Sequence, residues 1–149
     1  MNTTIAINAY KKVGVESKVI GADPHQLISM LFQGGLLAID NAKTEILNKD
    51  IAAKGKFISK AIAIIGEGLH ASLDKKVGGE LAENMSSLYD YMVKRLIDAN
   101  LKNDITILDE VAGLLGELAG AWDSIRPNYI QSGSQPMGSA NAQLAYRRA

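Results

Sequence analysis

A pair of glycines, Gly78-Gly79, separates two stretches of helical apolar pattern near the middle of the chain. Glycine accepts the positive φ at which a helix ends, and Glu80 then puts a carboxylate in the first turn of the next helix, where the helix dipole favours it. Beyond this point apolar residues recur at intervals of three and four, which marks one helix face: Leu81, Met85, Leu88, Met92 and Leu96. The stretch therefore predicts two antiparallel helices joined by a glycine turn.

Three other long segments show the helical period, and each begins at an aspartate, a residue type that caps helix N-termini: Asp23, Asp50 and Asp104. The first of these is followed by Pro24 and then by Gln26, which together predict a capping box with proline in the first turn. The three helices are expected to span about residues 24–48, 51–73 and 105–126. With the helix after the glycine pair, expected over about 80–100, they make four.

Four long helices joined by short turns predict an all-α fold, an antiparallel up-and-down four-helix bundle. Residues 4–13 also show apolar spacing, but a helix of that length is not stable alone, so we expect it to pack across the bundle. Residues 1–130 are thus predicted to form one domain, with about 1–14 as an N-terminal cap segment. Residues 131–149 consist largely of Gln, Ser, Gly and Ala with few large apolar residues and predict a flexible polar tail.

Composition and charge exclude several classes of function. Lys and Arg together number 16, the same as Asp and Glu, and no basic run exceeds two residues, so nucleic-acid binding is not expected. The apolar runs are too short to cross a membrane, and the N-terminus lacks a signal-peptide pattern. The chain has no cysteine, which rules out thiolate chemistry and is compatible with a cytoplasmic location.

Residue types that carry catalysis do not fall into a recognisable pattern. His25 and His70 fit no zinc-ligand spacing, and Glu67 with His70 forms the only Glu-x-x-His pair, whereas a di-iron bundle needs two. Gly78-Gly79 is not followed by the lysine of a phosphate loop, and no nucleophile stands beside a base. We therefore expect no enzyme, no cofactor and no metal site, with His25 exposed in a first turn and His70 on a solvated face.

The stretch around the glycine pair also resembles the signature of the flagellar secretion chaperones. Three parts of it carry the resemblance: Ser-Leu-Asp at 72–74, Gly-Gly-Glu at 78–80 and Leu-Tyr-Asp-Tyr-Met at 88–92. Further matches follow the order of the family: Asn-Ala-Tyr-Lys-Lys-Val at 8–13, Pro-His-Gln-Leu-Ile at 24–28 and Glu-Val to Ala-Trp over 110–122. The resemblance covers roughly residues 8–123.

The resemblance implies a cytoplasmic export chaperone that binds the disordered C-terminal region of flagellin, prevents premature polymerisation and assists flagellar type III export. It implies flagellin as the partner, together with the export-gate membrane protein and other flagellar regulators, and a homodimer as one state of the client-free chain. It also implies that the N-terminal segment lies over the client-binding surface when no client is present. The alternative is a self-associating structural or adaptor bundle.

Four groups of residues are predicted to contact a partner. The first group is the apolar residues of the cap segment, and the second is a stripe of the helix over about 24–48 in which a small residue follows two leucines. The third is an aromatic rim on the helix after the glycine pair, and the fourth is a stripe of glycines in the last helix. In that order, the residues are Ile7, Tyr10 and Val13; Leu27, Leu31 and Gly34; Leu88, Tyr89 and Tyr91; and Gly113, Gly116 and Gly120. By spacing, at most one of the two tyrosines points into the core. Two accounts of the glycine stripe stay open, namely close approach of a neighbouring helix and an open surface for the client.

Overall fold

A computed structural model describes residues 23–73 and 75–125 as an all-α structure. Its four α-helices are α1 (Pro24–Leu47), α2 (Ile51–Ala63), α3 (Lys75–Lys102) and α4 (Ile105–Ser124). The chain continues from α2 through a π-helical segment, Ile64–Leu69, before α3 begins. The predicted all-α class is confirmed. The cap segment and the polar tail lie outside the described residues.

Each predicted N-terminal aspartate caps its helix. The Asp23 carboxylate accepts a hydrogen bond from the Gln26 backbone N–H at 2.7 Å, and the Gln26 side chain accepts one from the Asp23 N–H at 3.3 Å. The carboxylate of Asp50 likewise accepts from the third residue beyond it at 3.0 Å, and that of Asp104 accepts from two backbone N–H groups. Local sequence thus fixes where three helices begin, because caps satisfy N–H groups that lack intrahelical partners.

The glycine turn also appears where the sequence predicts it. Gly79 adopts φ 55° and ψ −130°, a conformation that only glycine adopts without strain. This residue interrupts α3, so the regular helix runs from Glu80.

The π-helical segment was not predicted, since the apolar period suggested an α-helix to about residue 73. Its widened turn is visible at His70, whose N–H donates to the Ile65 carbonyl at 2.9 Å, five residues back. Gly68 lies where this segment meets α1, and a Cβ added there would come within 3.1 Å of Leu31 Cδ2. Close packing of two helices, rather than a local sequence signal, therefore accompanies the change of helix type.

The core runs through the centre of the four helices, and Met92 and Leu96 of α3 are buried as predicted, whereas the first half of the α3 face differs from the predicted one. Tyr89 is 2% exposed and belongs to the core, whereas Leu88 is only partly buried and Leu81 is 70% exposed. The buried apolar residues of α3 are Ala82, Tyr89, Met92, Leu96 and Ala99. A period of three and four is equally satisfied by this set, so the pattern alone could not choose between the two faces.

The ends of the bundle are closed by different contacts. At one end the α1–α2 and α3–α4 turns lie together, and the buried Lys54 amine donates to the Asn100 backbone carbonyl at 2.9 Å and to its side-chain oxygen at 2.7 Å. At the other end α1 begins and α4 finishes, and His25 contacts Trp122. The antiparallel order therefore brings the first turn of α1 beside the last turn of α4.

Candidate functional site

An apolar groove of about 520 Å³ opens between the first half of α3 and the C-terminal part of α4. Its α3 wall is formed by Leu81, Met85 and Tyr89, its α4 wall by Leu118, Trp122 and Ile125, and its floor includes Phe32 and Leu69. Large apolar side chains stand at its mouth, where Leu81 is 70% and Ile125 43% exposed. Exposed apolar surface arranged around a concavity is typical of a binding site.

Side-chain hydrogen bonds join α3 and α4 on the side of the groove nearer their connecting turn. There the Arg95 guanidinium of α3 donates to the Glu110 carboxylate of α4 at 2.8 Å, and the Tyr91 hydroxyl donates to the same carboxylate. These bonds lower the pKa of Glu110, with the Tyr91 hydroxyl the largest cause and Arg95 the next, and the same carboxylate raises the pKa of Tyr91. The helices are thus joined beside the α3–α4 turn and leave the groove open at the far end.

His25 supports one wall of the groove from behind. Its Nε2 donates to the Trp122 backbone carbonyl at 2.6 Å, and the Trp122 indole N–H donates back to the His25 carbonyl at 3.0 Å. The two rings are stacked, with centroids 4.7 Å apart and planes 9° apart. His25 is 1% exposed, so the expectation of an exposed first-turn residue is wrong, because α4 ends directly against the first turn of α1.

His70 follows the π-helical segment and is partly buried against α3 rather than on a fully solvated face, which corrects the second histidine expectation. Its Nε2 lies 2.7 Å from the Ser86 hydroxyl, and its Nδ1 lies 3.6 Å from the Asp90 carboxylate. The three side chains contact one another in the order Ser-His-Asp, as in a hydrolase triad. However, the His70–Asp90 distance is too long for a hydrogen bond, and Ser86 is buried. Within residues 23–73 and 75–125, no group of three or more His, Asp or Glu side chains could hold a metal ion.

The predicted partner-binding residues fall into different places. Leu27 and Leu31 are fully buried in the core, and Gly34 lies where α1 meets the π-helical segment, at which an added Cβ would come within 3.4 Å of the Ile64 side chain. Leu88 is partly buried against the core. None of these lines the groove, and Ile7, Tyr10 and Val13 lie outside the described residues.

The two tyrosines separate as their spacing predicts. Tyr89 is buried at the groove wall, and this burial raises the pKa of its phenol. Tyr91 is 41% exposed on the outside of α3, where it bonds Glu110.

The glycine stripe of α4 faces open space. A Cβ added at Gly113, Gly116 or Gly120 would meet nothing within 4 Å, so the account in which a neighbouring helix approaches closely is wrong. The stripe shares its side of α4 with Asp109 and Asp123, which bond side chains of α1 at 2.7 and 2.6 Å. It therefore runs along the α1 side of α4, away from the groove.

A family model described as "Flagellar protein FliS" matches residues 6–129. The matched range contains all four helices and every residue that lines the groove. The chain belongs to the FliS family of flagellar secretion chaperones. No helix among the described residues is long and apolar enough to cross a membrane.

Curated FliS relatives align with most of this chain and with most of their own length. The flagellar secretion chaperone FliS of Salmonella typhimurium is 51% identical over 127 residues, which is 85% of this chain and 94% of the relative. FliSB of Pseudomonas aeruginosa is 47% identical over 80% of this chain and 94% of its own. FliS of Bacillus subtilis is 38% identical over 72% of this chain and 78% of its own.

Sequence reasoning missed most of the groove in this FliS protein. Leu81 is predicted to pack because it continues the helical apolar period, and Leu118, Trp122 and Ile125 follow the same spacing of three and four in α4. The one available signal was their position, since Leu81 begins the α3 face and Ile125 ends the α4 face. Apolar residues at the end of a helix can lie beyond its contact with the neighbouring helix, and they then remain exposed, as Leu81 and Ile125 do.

Proposed function

We propose that this chain is a flagellin-binding export chaperone and that the groove receives an amphipathic segment of the disordered C-terminal region of flagellin. The observation that carries the proposal is the apolar mouth formed by Leu81 and Ile125, both large and exposed. An amphipathic helix laid into an apolar groove is a common mode of peptide recognition. Membership of the flagellar secretion chaperone family supports a flagellar client.

The mechanism needs binding alone and no bond-making step, so we propose that the protein is not an enzyme. The client segment folds as its apolar face enters the groove, and part of the interaction free energy is lost to ordering that segment. While it is held there, the segment is unavailable for polymerisation in the cytoplasm. Release at the export gate then requires only that the complex dissociate.

We further propose that the client extends beyond the groove and wraps around α4. Gly113, Gly116 and Gly120 give close access to the helix backbone on the α1 side. Tyr91 offers an exposed ring on the outside of α3. An extended client that follows these surfaces would contact several faces of the bundle.

The groove proposal is tested with a charge placed at its mouth. Leu81→Glu should abolish binding of a flagellin C-terminal peptide in isothermal titration calorimetry, because the carboxylate would have to be desolvated against an apolar helix. Leu101→Glu is the matched control, since Leu101 is 77% exposed and lies near the α3–α4 turn at the opposite end. Equal binding by both variants would reject the groove as the client site.

The self-associating bundle is the second candidate. It is favoured by three exposed apolar residues near the α1–α2 and α3–α4 turns: Leu47, Ile51 and Leu101. Sedimentation velocity with and without the flagellin peptide separates the two functions. A chaperone should form a one-to-one complex, whereas a structural bundle should remain self-associated whatever peptide is added.

A further inference from the structure

Trp122 is the only tryptophan of the chain and forms part of the α4 wall of the groove. Its backbone carbonyl lies in the last turn of α4, where carbonyls lack regular intrahelical partners. This carbonyl accepts a long bond from the Ile125 N–H at 3.3 Å and a short one from His25 Nε2 at 2.6 Å. The stronger contact at the end of α4 is therefore made by a side chain of α1.

The position of the His25 imidazole is fixed by the first turn of α1, independently of its contact with Trp122. Asp23 and Gln26 cap the first turn of α1 reciprocally, and His25 is completely buried within that turn. The capped backbone also presents the His25 carbonyl that accepts the indole N–H at 3.0 Å. Both the ring and the carbonyl of one residue thus contact Trp122 from a fixed position.

Three contacts together restrict the indole. The bond to the Trp122 carbonyl fixes its backbone, the bond from the indole N–H fixes the ring's rotation, and parallel stacking at 4.7 Å fixes the ring's tilt. We infer that His25 is a positioning residue for the groove, which holds the Trp122 indole so that the part not covered by the imidazole forms a preformed wall for the client. This inference rests on the proposed function.

A preformed wall matters because a partner then does not have to order it. Immobilising one large side chain on binding reduces affinity, so a loosened indole should weaken binding by about two- to tenfold. His25 touches no client in this scheme and acts only through Trp122.

The two contributions of His25 are separated by two substitutions in the full chain. His25→Phe keeps a ring for stacking and removes the N–H donor, whereas His25→Gln keeps an N–H donor and removes the ring. Because Trp122 is the only tryptophan, its fluorescence anisotropy and emission maximum report on the groove wall in the free protein. Calorimetry with a flagellin C-terminal peptide measures the effect on binding.

Lys54→Met is the matched control, because Lys54 also bonds the C-terminal end of a helix from a buried position, but at the opposite end of the bundle. Both His25 variants should lower the anisotropy of Trp122, shift its emission to longer wavelength and weaken peptide binding about two- to tenfold. Lys54→Met should lower the melting temperature and leave fluorescence and affinity unchanged. If His25→Phe does not fold, the anisotropy and peptide affinity of His25→Gln decide the test.

Unchanged anisotropy and affinity in the His25 variants would overturn the inference, and so would an equal loss of affinity in Lys54→Met. The proposed function is judged separately by Leu81→Glu. If that variant loses the peptide while the His25 variants keep it, the groove binds the client and His25 does not position the wall. If the unaltered chain does not bind the peptide at all, the proposed function fails even where the indole is loosened.

Discussion

Tyr89 and Tyr91 are two residues apart and have opposite environments, one buried at the groove wall and one exposed beside Glu110. Tyr89→Ala should lower the free energy of unfolding by about 3–5 kcal/mol, because it leaves a cavity in the core. Tyr91→Ala should change stability little and weaken client binding instead. Urea unfolding and calorimetry measure the two effects, and equal destabilisation with client binding intact would contradict a binding role for Tyr91.

Glu110 provides a pH-dependent contribution to stability. Its pKa in the folded protein is lowered, first by the Tyr91 hydroxyl and then by Arg95. A lowered folded pKa means that the stabilisation is fully present above the unfolded pKa and is lost as pH falls through the folded one. Glu110→Gln should therefore be less stable than the unaltered chain at neutral pH, and the difference should shrink as the pH falls below the unfolded pKa of the carboxyl group and through its lowered folded pKa. Thermal melts across this range test it, with Glu117→Gln, an exposed carboxylate of the same helix, as the control.

Single residues were predictable where their partners are close in sequence. The aspartate caps lie within three residues of the N–H groups that they bind, so local spacing was enough. His25 was misplaced because Trp122, its main described partner, is 97 positions away in the sequence. A contact of that kind depends on how α1 and α4 pack, which no local pattern encodes.

The glycine stripe makes α4 less stable than it could be. Gly113, Gly116 and Gly120 each cost about 0.8–1.0 kcal/mol relative to alanine within a helix, and added Cβ atoms would meet open space. The triple alanine variant should therefore raise the free energy of unfolding by about 2–3 kcal/mol and, if the client lies on the stripe, weaken its binding.

Gly55 of α2 is the matched control, because its Cβ would also meet nothing within 4 Å. Gly55→Ala should stabilise by about 1 kcal/mol and leave client affinity unchanged. A triple variant that is more stable and binds the client normally would show that the stripe has no part in binding.

Helix existence could be read from the apolar period, but helix type and register could not. The period predicted four long helices, and residues 23–73 and 75–125 contain them, whereas the π-helical segment Ile64–Leu69 and the burial of Tyr89 instead of Leu88 were missed. Both depend on contacts between helices. Positions that differ by one residue can satisfy the same spacing rule, and only packing chooses between them.

The N-terminal cap remains a prediction for the molecule as a whole, since Ile7, Tyr10 and Val13 lie outside the described residues. If this segment occupies the groove in the client-free protein, deleting residues 1–14 should leave client affinity unchanged or raised. Circular dichroism should show the bundle still folded, because α1 begins with its own capping box at Asp23. Collapse of the helical signal would show instead that the segment belongs to the core.

The groove itself could not be predicted from the sequence. It lies between α3 and α4, farther from their connecting turn than the Glu110 contact, and both Leu81 and Ile125 line it. Helical spacing gives the face that a side chain occupies, but it does not give the distance between two helices at each level of a bundle. The family resemblance indicated a chaperone role in flagellar secretion, whereas the location of the groove required the structure.

The contact between His25 and Trp122 also means that the described bundle starts and finishes at one pole, next to the groove. A reporter domain fused near Asp23 or Ile125 would therefore lie close to the proposed client site. The opposite pole carries the turns at Lys49 and Asn103, both with positive φ. Labels and surface tethers placed at those two turns would hold the protein with its client entrance facing solution.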